Sequence, residues 1–397
     1  MGKGRIAFVP LRYGEDVVGG AETVLRQAAE RLAGRGWEVE VLTTCVRDHY
    51  TWANAYPAGT SRDGDLTIRR FPVVRGTDPT GYHRLERRIG VGGLLTADEQ
   101  LAWINGRFRV PELFHHLVGH AHNYRAIIFS PYLFWTTVVG ASVAPERTVV
   151  IPCLHDEPFA YLELFQPLLA GSAQVWFMSE PEHELAHRIG AVTEAHFVTG
   201  EGVLIPESYD PDGFRARHGL TRPYVLFVGR REDGKGWPDL LRAFSRAVVR
   251  LGVDLDLVTF GVGGISLPAE LEGRVKDLGF LPQDEVGDAY AAAAAYVQPS
   301  LYESFSRTIM ESWLAGTPVL CTAGSEVLRW HCERSGGGLT FTDEFELAQC
   351  LSFLAGAPDD AARLAKAGRE YVLAHYQWDT VLDAMEASLE ELRCASS

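Results

Sequence analysis

Apolar strands alternate with amphipathic helices along most of this chain, and this alternation strongly limits the folds that it can adopt. Residues 5–11 have the apolar pattern of a strand, residues 21–35 carry apolar side chains at helical spacing, and residues 38–44 have the pattern of the next strand. The pattern restarts with strands at 223–229 and 255–261. Strands joined by helices lie parallel in a sheet that helices cover on both faces. The sequence therefore predicts an α/β protein with two Rossmann-like parallel-sheet domains.

The length of the chain also indicates more than one domain. Its 397 residues exceed what one hydrophobic core usually serves. A segment rich in Pro, Gly and Asp precedes the second set of strands. We predict an N-terminal domain at 1–203, a linker at 204–222, a second domain at 223–375 and a final helical segment at 376–397.

Composition narrows the class of protein. Hydrophobic residues make up 46% of the chain, so it can form large cores and is not disordered. The net charge of −15 argues against binding nucleic acid through bulk charge and favours membrane contact that is at most peripheral. No apolar run reaches the ~18 residues of a membrane span. The six scattered cysteines include no Cys-x2-Cys pair, which favours reduced thiols in a cytoplasmic protein over a zinc site. The oligomeric state stays open.

Two glutamates lie close together in sequence: Glu303 at a predicted strand-to-helix turn, and Glu311 near the middle of the helix that follows. Ser304 or Ser306 can cap this helix, and Gly316 is a plausible C′ residue after its last turn. A helix N-terminus offers free backbone N–H groups and a positive dipole end to a phosphate. The two carboxylates can accept hydrogen bonds from sugar hydroxyls. This arrangement suits a nucleotide-diphosphate-sugar, with hexose at one end and ribose at the other.

A second strand-to-helix turn, at residues 227–237, carries positive charge. Arg230 follows one glycine of this turn and Lys235 precedes another. Ligands bind beyond the carboxyl ends of parallel strands, and cations at this place would neutralise a diphosphate. Arg231 stands beside Arg230, so the sequence leaves some ambiguity about which arginine has this role.

The stretch from Glu303 to Glu311 resembles the Glu-x7-Glu signature of retaining glycosyltransferases of family four, which have the GT-B fold. The resemblance implies two Rossmann-like domains that face a central cleft, with the last helix crossing back to the first domain. It implies that Glu303 contacts the donor sugar, that Glu311 holds the ribose, and that backbone amides of Ser304, Phe305 and Ser306 bind the diphosphate. The commoner family pattern has glycine where Ser306 stands.

The same resemblance assigns residues outside this motif. It implies that Arg230 and Lys235 stabilise the leaving diphosphate. Gly19 and Gly20 are similar to the N-terminal glycine loop that closes over the donor phosphate or the acceptor, although a plain turn is the alternative. Gly263 lies at a strand end of the kind that binds base and sugar in this family, and an ordinary glycine turn is equally compatible.

His155 follows a buried strand of the first domain and is similar to the cleft histidine that contacts the donor sugar. A surface or capping histidine is the alternative. Asp156 could orient the ring of His155 or touch the acceptor.

Metal and cofactor sites are not expected. Asp63-Gly-Asp65 lies in a predicted turn, and Asp254-Leu-Asp256 opens a strand, away from the edge where ligands bind. Transfer without a metal is also usual for the resembled family. We therefore predict a metal-independent enzyme with no cofactor beyond its nucleotide-sugar substrate.

The first domain is expected to bind the acceptor. Residues 49–56 offer aromatic faces, and residues 83–89 form a basic patch that could meet an anionic or lipid-linked acceptor or could be an ordinary solvated helix face.

Together these features predict a retaining hexosyltransferase that moves sugar from a nucleotide-diphosphate-sugar to a hydroxyl of a glycan, lipid-linked sugar or natural product. The alternatives are a sugar phosphorylase or nucleotide-sugar epimerase on the same scaffold, and a protein that binds nucleotide-sugars without turning them over.

Overall fold

The computed structural model describes residues 3–17, 19–191 and 195–392. The chain divides into two units. Residues 1–202 and 379–397 form unit 1, and residues 203–378 form unit 2.

Unit 1 is built on an eight-stranded sheet with the order β10-β9-β8-β7-β1-β2-β4-β3. A separate two-stranded sheet of β5 and β6 accompanies it. The strands of the two sheets are β1 (Arg5–Pro10), β2 (Glu38–Thr44), β3 (Gly59–Asp63), β4 (Leu66–Phe71), β5 (Val74–Arg75), β6 (Phe108–Arg109), β7 (Ala126–Ser130), β8 (Thr148–Val150), β9 (Gln174–Phe177) and β10 (His196–Val198). Its first helices are α1 (Gly20–Gly34), α2 (Pro79–Gly90), α3 (Ala97–Gly106), α4 (Pro111–His120), α5 (Trp135–Ala141), α6 (Phe165–Gly171) and α7 (Glu180–Arg188). The strand pairs of the large sheet are parallel, except that β3 and β4 form an antiparallel hairpin.

Unit 2 contains a six-stranded parallel sheet with the order β13-β12-β11-β14-β15-β16. Its strands are β11 (Tyr224–Val228), β12 (Asp256–Phe260), β13 (Val275–Asp277), β14 (Ala295–Gln298), β15 (Val319–Thr322) and β16 (Gly338–Phe341). Its helices are α8 (Pro211–Arg217), α9 (Trp237–Ser245), α10 (Gln283–Ala291), α11 (Arg307–Leu314), α12 (Glu326–Ser335), α13 (Glu344–Gly356) and α14 (Pro358–His375). The carboxyl ends of β11 and β14, which are neighbours in the sheet, lead into the two turns that carry the predicted site.

The last helix, α15 (Trp378–Glu391), belongs to unit 1 from Asp379 onward although it follows unit 2 in sequence. Arg35, just after α1, pairs with Asp379 at 2.8 Å and with Glu386 at 3.0 Å. The indole Nε1 of Trp37 donates to Glu386 at 2.7 Å. Polar contacts therefore fix α15 against the turn between α1 and β2.

The structure confirms an α/β fold with two parallel-sheet Rossmann-like units, and it adds elements that the sequence did not predict. The hairpin strand β3 has only exposed residues, so no apolar alternation marks it. The two Asp-x-Asp segments lie as predicted. Asp63 ends β3 at a hairpin turn, and Asp256 opens β12, where it lies 3.6 Å from Arg222 and 3.2 Å from Arg274.

Candidate functional site

The turn after β11 places the two adjacent arginines in different environments. Arg231 is only 3% exposed, and its guanidinium donates to the carbonyls of Gly261 and Gly263, each at 3.0 Å, and to Asp277 at 3.1 Å. It therefore ties its own turn to the turn after β12. The Arg230 side chain is 50% exposed and lies 3.1 Å from Glu232. Arg230 is thus the arginine that is accessible to a ligand.

Gly263 is part of the same link between the turns after β11 and β12. Its backbone has φ of +113°, a conformation that favours glycine. A Cβ at this position would lie 3.2 Å from the backbone of Arg231. Gly263 therefore allows close approach of the two turns, and the structure shows it bonded to Arg231.

Gly236 brings Lys235 next to the turn that carries Glu303. Gly236 adopts φ of +70°, and a Cβ there would lie 2.5 Å from the carbonyl oxygen of Pro299. This close backbone approach places Lys235 Nζ 2.9 Å from Glu303 Oε1 and 3.3 Å from Ser300 Oγ. The Lys235 and Glu303 side chains are 29% and 13% exposed. Two residues that the sequence predicted for one site are therefore in direct contact.

Gln298, at the end of β14, organises the turn that contains Glu303 and was not predicted from the sequence. Its amide Nε2 donates to Glu303 Oε1 at 3.1 Å and to Ser306 Oγ at 3.3 Å. Its Oε1 accepts from the hydroxyl of Tyr296 at 2.6 Å. A buried amide with all three bonds fixes the orientation of the Glu303 carboxylate.

Ser306 occupies the N-cap position of α11 with φ of +73° and ψ of +81°. This left-handed conformation favours glycine, which gives a physical reason for glycine at this place in the resembled family. Ser306 is thus the N-cap residue, one of the two candidates, but its hydroxyl makes no side-chain cap bond and interacts with Gln298 and Thr308. The strained backbone turns the chain sharply into α11.

Phe305 anchors this turn in unit 2, whereas Ser304 before it is partly exposed. The Phe305 ring is 1% exposed and makes edge-to-face contacts with His331 and Tyr376, at centroid distances of 5.3 and 4.9 Å. The side chain thus serves packing, and any contact of Phe305 with a phosphate would come from its backbone.

Glu311 lies within α11, and Gly316 adopts φ of +79° beyond the helix end, as predicted for a C′ residue. Burial raises the pKa of Glu311, while the positive charge of Arg307 and the hydroxyl of Tyr290 oppose this rise. Arg307 Nε lies 4.0 Å from Glu311 Oε1. Glu311 is a partly buried acceptor on the helix that starts at the proposed phosphate site.

In unit 1, Gly19 and Gly20 lie at the start of α1. A Cβ at Gly19 would lie 2.2 Å from Glu22 Oε2, so the Glu22 carboxylate would have to move. The Glu22 carboxylate is held by Arg12, whose Nη2 donates at 2.6 Å. Gly20, the first residue of α1, has nothing within 4 Å of a built Cβ. The two glycines therefore differ: the Glu22 carboxylate lies close to Gly19, and open space surrounds Gly20.

His155 lies in the loop after β8, with its side chain 34% exposed. Its Nδ1 is 3.5 Å from Glu157 Oε1. The expectation that Asp156 could orient this ring is wrong, because Asp156 binds the hydroxyl of Tyr161 at 2.7 Å and Arg188 at 3.1 Å. Glu157 is the neighbour of the ring.

A pocket of about 430 Å³ adjoins the His155 loop within unit 1. Its wall combines apolar and acidic side chains and includes Ile89, Leu94, Leu95, Gln100, Asp156, Glu157, Pro158, Tyr161, Leu162 and Glu163. A pocket of this size matches a small-molecule ligand.

No group of three or more His, Cys, Asp or Glu side chains in residues 3–17, 19–191 and 195–392 is arranged to hold a metal ion. Over the same residues, no helix combines the length and the apolar character needed to cross a membrane.

Comparison with known proteins shows which family model and which relatives the chain is similar to. Residues 222–356, which include both turns of the site in unit 2, match the family model Glycosyl transferases group 1. The chain is 27% identical over 209 residues to the 2-deoxystreptamine glucosyltransferase of Streptomyces kanamyceticus, a match that covers 46% of this chain and 54% of that protein. It is 26% identical over 396 residues to the D-inositol 3-phosphate glycosyltransferase of Streptomyces scabiei, covering 91% of this chain and 84% of that one.

Solved structures agree on the fold. Sucrose-phosphate synthase from Thermosynechococcus elongatus superposes with a TM-score of 0.74 at 20% identity, covering 99% of this chain and 100% of that chain. Anabaena Alr3699/HepE, solved in complex with UDP and glucose, gives a TM-score of 0.71 at 18% identity, covering 97% and 99%. The chain therefore has the GT-B fold of these structures. The match to the family model is confined to residues 222–356, and the chain spans about half the length of the 2-deoxystreptamine glucosyltransferase.

Proposed function

We propose that the protein is a retaining hexosyltransferase of family four that transfers a sugar from a nucleotide-diphosphate-sugar to an acceptor hydroxyl. The observation that supports this proposal best is the contact between Lys235 and Glu303 at 2.9 Å, at the turn that leads into α11. A cation for the diphosphate and a carboxylate for the sugar hydroxyls thus stand side by side. The donor complexes of Alr3699/HepE, solved with UDP, support a nucleotide-sugar donor.

In this proposal the bond between the anomeric carbon and the phosphate oxygen breaks early, and negative charge grows on the leaving diphosphate. Lys235, Arg230 and the backbone amides of Ser304 to Ser306 stabilise that charge, which is largest in the transition state. The acceptor oxygen attacks the face that the diphosphate leaves, and its proton passes to an oxygen of the leaving phosphate. Glu303 and His155 hold the donor sugar, and Glu311 holds the ribose.

The remaining predicted residues have supporting roles in the proposal. Gly19 and Gly20 let the backbone of unit 1 approach the donor phosphate or the acceptor. Gly263 supports the region that binds base and sugar through its bonds with Arg231. The reaction is proposed to need no metal and no cofactor beyond the donor.

Unit 1 is proposed to bind the acceptor, in the pocket of about 430 Å³ beside the His155 loop. The names of the relatives, a 2-deoxystreptamine glucosyltransferase and a D-inositol 3-phosphate glycosyltransferase, support a small polyhydroxylated acceptor. The aromatic residues 49–56 and the basic residues 83–89 are further candidate acceptor contacts.

We also propose that the protein works in the cytoplasm, without nucleic acid and with membrane contact that is at most peripheral. Cys45, Cys153, Cys321, Cys332 and Cys350 are free thiols, which supports a reducing compartment.

The proposal is tested by incubating the protein with a panel of nucleotide-sugars and acceptors. Release of nucleoside diphosphate should require the acceptor, and NMR of the product should show the anomeric configuration of the donor. Phosphate-dependent release of sugar 1-phosphate would identify a phosphorylase, and conversion of the nucleotide-sugar without acceptor would identify an epimerase. A donor that raises the melting temperature but is never turned over would identify a binding protein.

A further inference from the structure

Glu182 is a buried carboxyl group that the proposed chemistry does not use. It lies on α7, which follows β9, and its side chain is turned into unit 1 with 1% exposure. Its Oε1 accepts from the backbone N–H of Leu154 at 2.6 Å, and its Oε2 accepts from the backbone N–H of Met178 at 2.6 Å. One carboxyl group thus joins two loops that are 24 residues apart, since Leu154 follows β8 and Met178 follows β9.

The first of these loops carries His155 immediately after the bonded Leu154. Cys153, immediately before Leu154, has φ of +54°, a left-handed conformation that a non-glycine residue adopts at a cost. Such a backbone persists only where its surroundings hold it. The hydrogen bond that the Leu154 N–H donates to Glu182 supplies that restraint, because Leu154 lies between Cys153 and His155.

The local sequence would allow Glu182 a different partner. Ser179 is the N-cap of α7 and its hydroxyl accepts the N–H of Glu182, three residues on. In a capping box this third residue bonds back to the N-cap N–H. Here the Glu182 oxygens accept from the backbone N–H groups of Leu154 and Met178. The carboxyl group is therefore committed to the two loops at the ends of β8 and β9.

Burial also makes this position costly for a carboxyl group. The pKa of Glu182 is raised to about 8, chiefly by burial and also by the charge of Glu201, and the backbone N–H groups of Met178, Leu154 and Cys153 oppose this rise. In either protonation state both carboxyl oxygens retain lone pairs that can accept an N–H. A glutamine side chain has only one such oxygen.

We propose that Glu182 is a positioning residue: it holds the strained turn at Cys153 and thereby sets the orientation of His155 toward the donor sugar. This inference rests on the proposed function, in which His155 contacts that sugar. A misplacement of about 1 Å at a reacting group can cost ~100-fold in rate, so loss of this restraint should be visible in kcat.

The test uses the full chain with the substitutions Glu182→Gln, His155→Ala and both together. Glu184→Gln is the matched control, because Glu184 is exposed on the same helix. We expect Glu182→Gln to lower kcat by about 10- to 100-fold with little change in the KM for the acceptor. In the His155→Ala background the same substitution should change kcat by less than about threefold, because the residue it positions is already absent. Additive losses in the double variant would overturn the proposal.

A second readout does not depend on turnover. The NMR signal of the His155 ring, assigned by its loss in His155→Ala, should shift in Glu182→Gln and stay in place in Glu184→Gln. If Glu182→Gln fails to fold, Glu182→Asp, which is too short to reach both N–H groups, is expected to give the same shift. An unmoved signal would overturn the role of Glu182. Absence of any transferase activity in the unmodified protein, with the signal moving as expected, would count against the proposed function instead.

Discussion

Lys235 and Glu303, which are 68 residues apart in sequence, form an ion pair of 2.9 Å in unit 2. In the proposed donor complex the remaining donors of Lys235 meet the diphosphate and the remaining lone pairs of Glu303 accept from the sugar hydroxyls. The ion pair also limits the cost of burying two charged groups.

Lys235→Ala should lower kcat/KM for the donor by about 100-fold or more, because a preplaced cation stabilises charge that develops in the transition state. Lys366→Ala is the control, since the Lys366 side chain is 77% exposed near Glu370. Initial rates of nucleoside diphosphate release measure the effect. Equal activity of the two variants would contradict the assignment of Lys235.

Substitution of Arg231 should lower stability, whereas substitution of its neighbour Arg230 should lower activity. Arg231→Ala removes a buried guanidinium from Asp277 and from two carbonyls, so it should lower the free energy of unfolding by about 2 to 4 kcal/mol. Arg230→Ala should change stability by less than about 0.5 kcal/mol, because the side chain is half-exposed, and should lower kcat/KM. Urea unfolding and kinetics of both variants check this. The reverse pattern would assign the diphosphate to Arg231.

The backbone of Ser306 has φ of +73°, which predicts that glycine is tolerated better than valine at this position. Ser306→Gly relieves backbone strain but loses the contacts with Gln298 and Thr308, so its stability should stay within about 1 kcal/mol of the original. Ser306→Val should cost about 2 kcal/mol or more, because β-branched residues avoid positive φ. Urea unfolding followed in unit 2 measures both changes. A valine variant as stable as the glycine variant would show that this backbone conformation is not maintained.

The pKa of Glu182 predicts how stability depends on pH. In the folded protein its pKa is about 8, against an ordinary value of 4.5. Between these two values the folded state holds a proton that the unfolded state releases, so the free energy of unfolding should fall as pH rises from about 4.5 to about 8. Glu182→Gln cannot ionise and should lack this component. Denaturant unfolding at pH 5, 6.5 and 8 compares the two proteins, and parallel pH dependences would show that the folded pKa is not raised.

Sequence periodicity located the regular elements well where burial sets the pattern. In α9 the buried residues Trp237, Leu240, Leu241 and Phe244 follow helical spacing, and the helix begins where the pattern predicts. The two-residue strands β5 and β6 pair across more than thirty residues, and no local pattern marks them. Elements that depend on distant pairing therefore escaped prediction.

The sequence predicted those site residues whose charge and position suggest a role, but it did not predict roles that depend on tertiary contacts. Glu303 and Lys235 were selected by position after a strand, and the structure brings them together. Arg230 and Arg231 are the same residue type, so the sequence cannot distinguish their roles. The structure distinguishes them because Gly263 packs against Arg231 and accepts a hydrogen bond from it. Gln298 lies within an apolar strand and has its role only because the following turn brings Glu303 back to it.

The pocket beside the His155 loop predicts the charge of the acceptor. Asp156, Glu157 and Glu163 contribute to its wall, and no lysine or arginine is among the described residues that line it. Arg188 pairs with Asp156, and His155 lies 3.5 Å from Glu157. Within residues 3–17, 19–191 and 195–392 Glu163 forms no ion pair, so it adds negative charge to the wall. Acceptors that carry an amine, or no charge, should therefore be used in preference to phosphorylated acceptors, since a phosphate would be placed beside carboxylates.

Glu163→Gln should raise the KM for an aminated acceptor about three- to tenfold while leaving the KM for its neutral analogue unchanged, because an exposed ion pair contributes up to ~1 kcal/mol. Glu146→Gln is a suitable control, as its side chain is 58% exposed in unit 1 and it does not line the pocket. The acceptor series is compared at low and high salt, since screening should reduce the preference for the amine. Preferential use of phosphorylated acceptors by the unmodified protein would place the acceptor elsewhere, with the basic residues 83–89 as the next candidate.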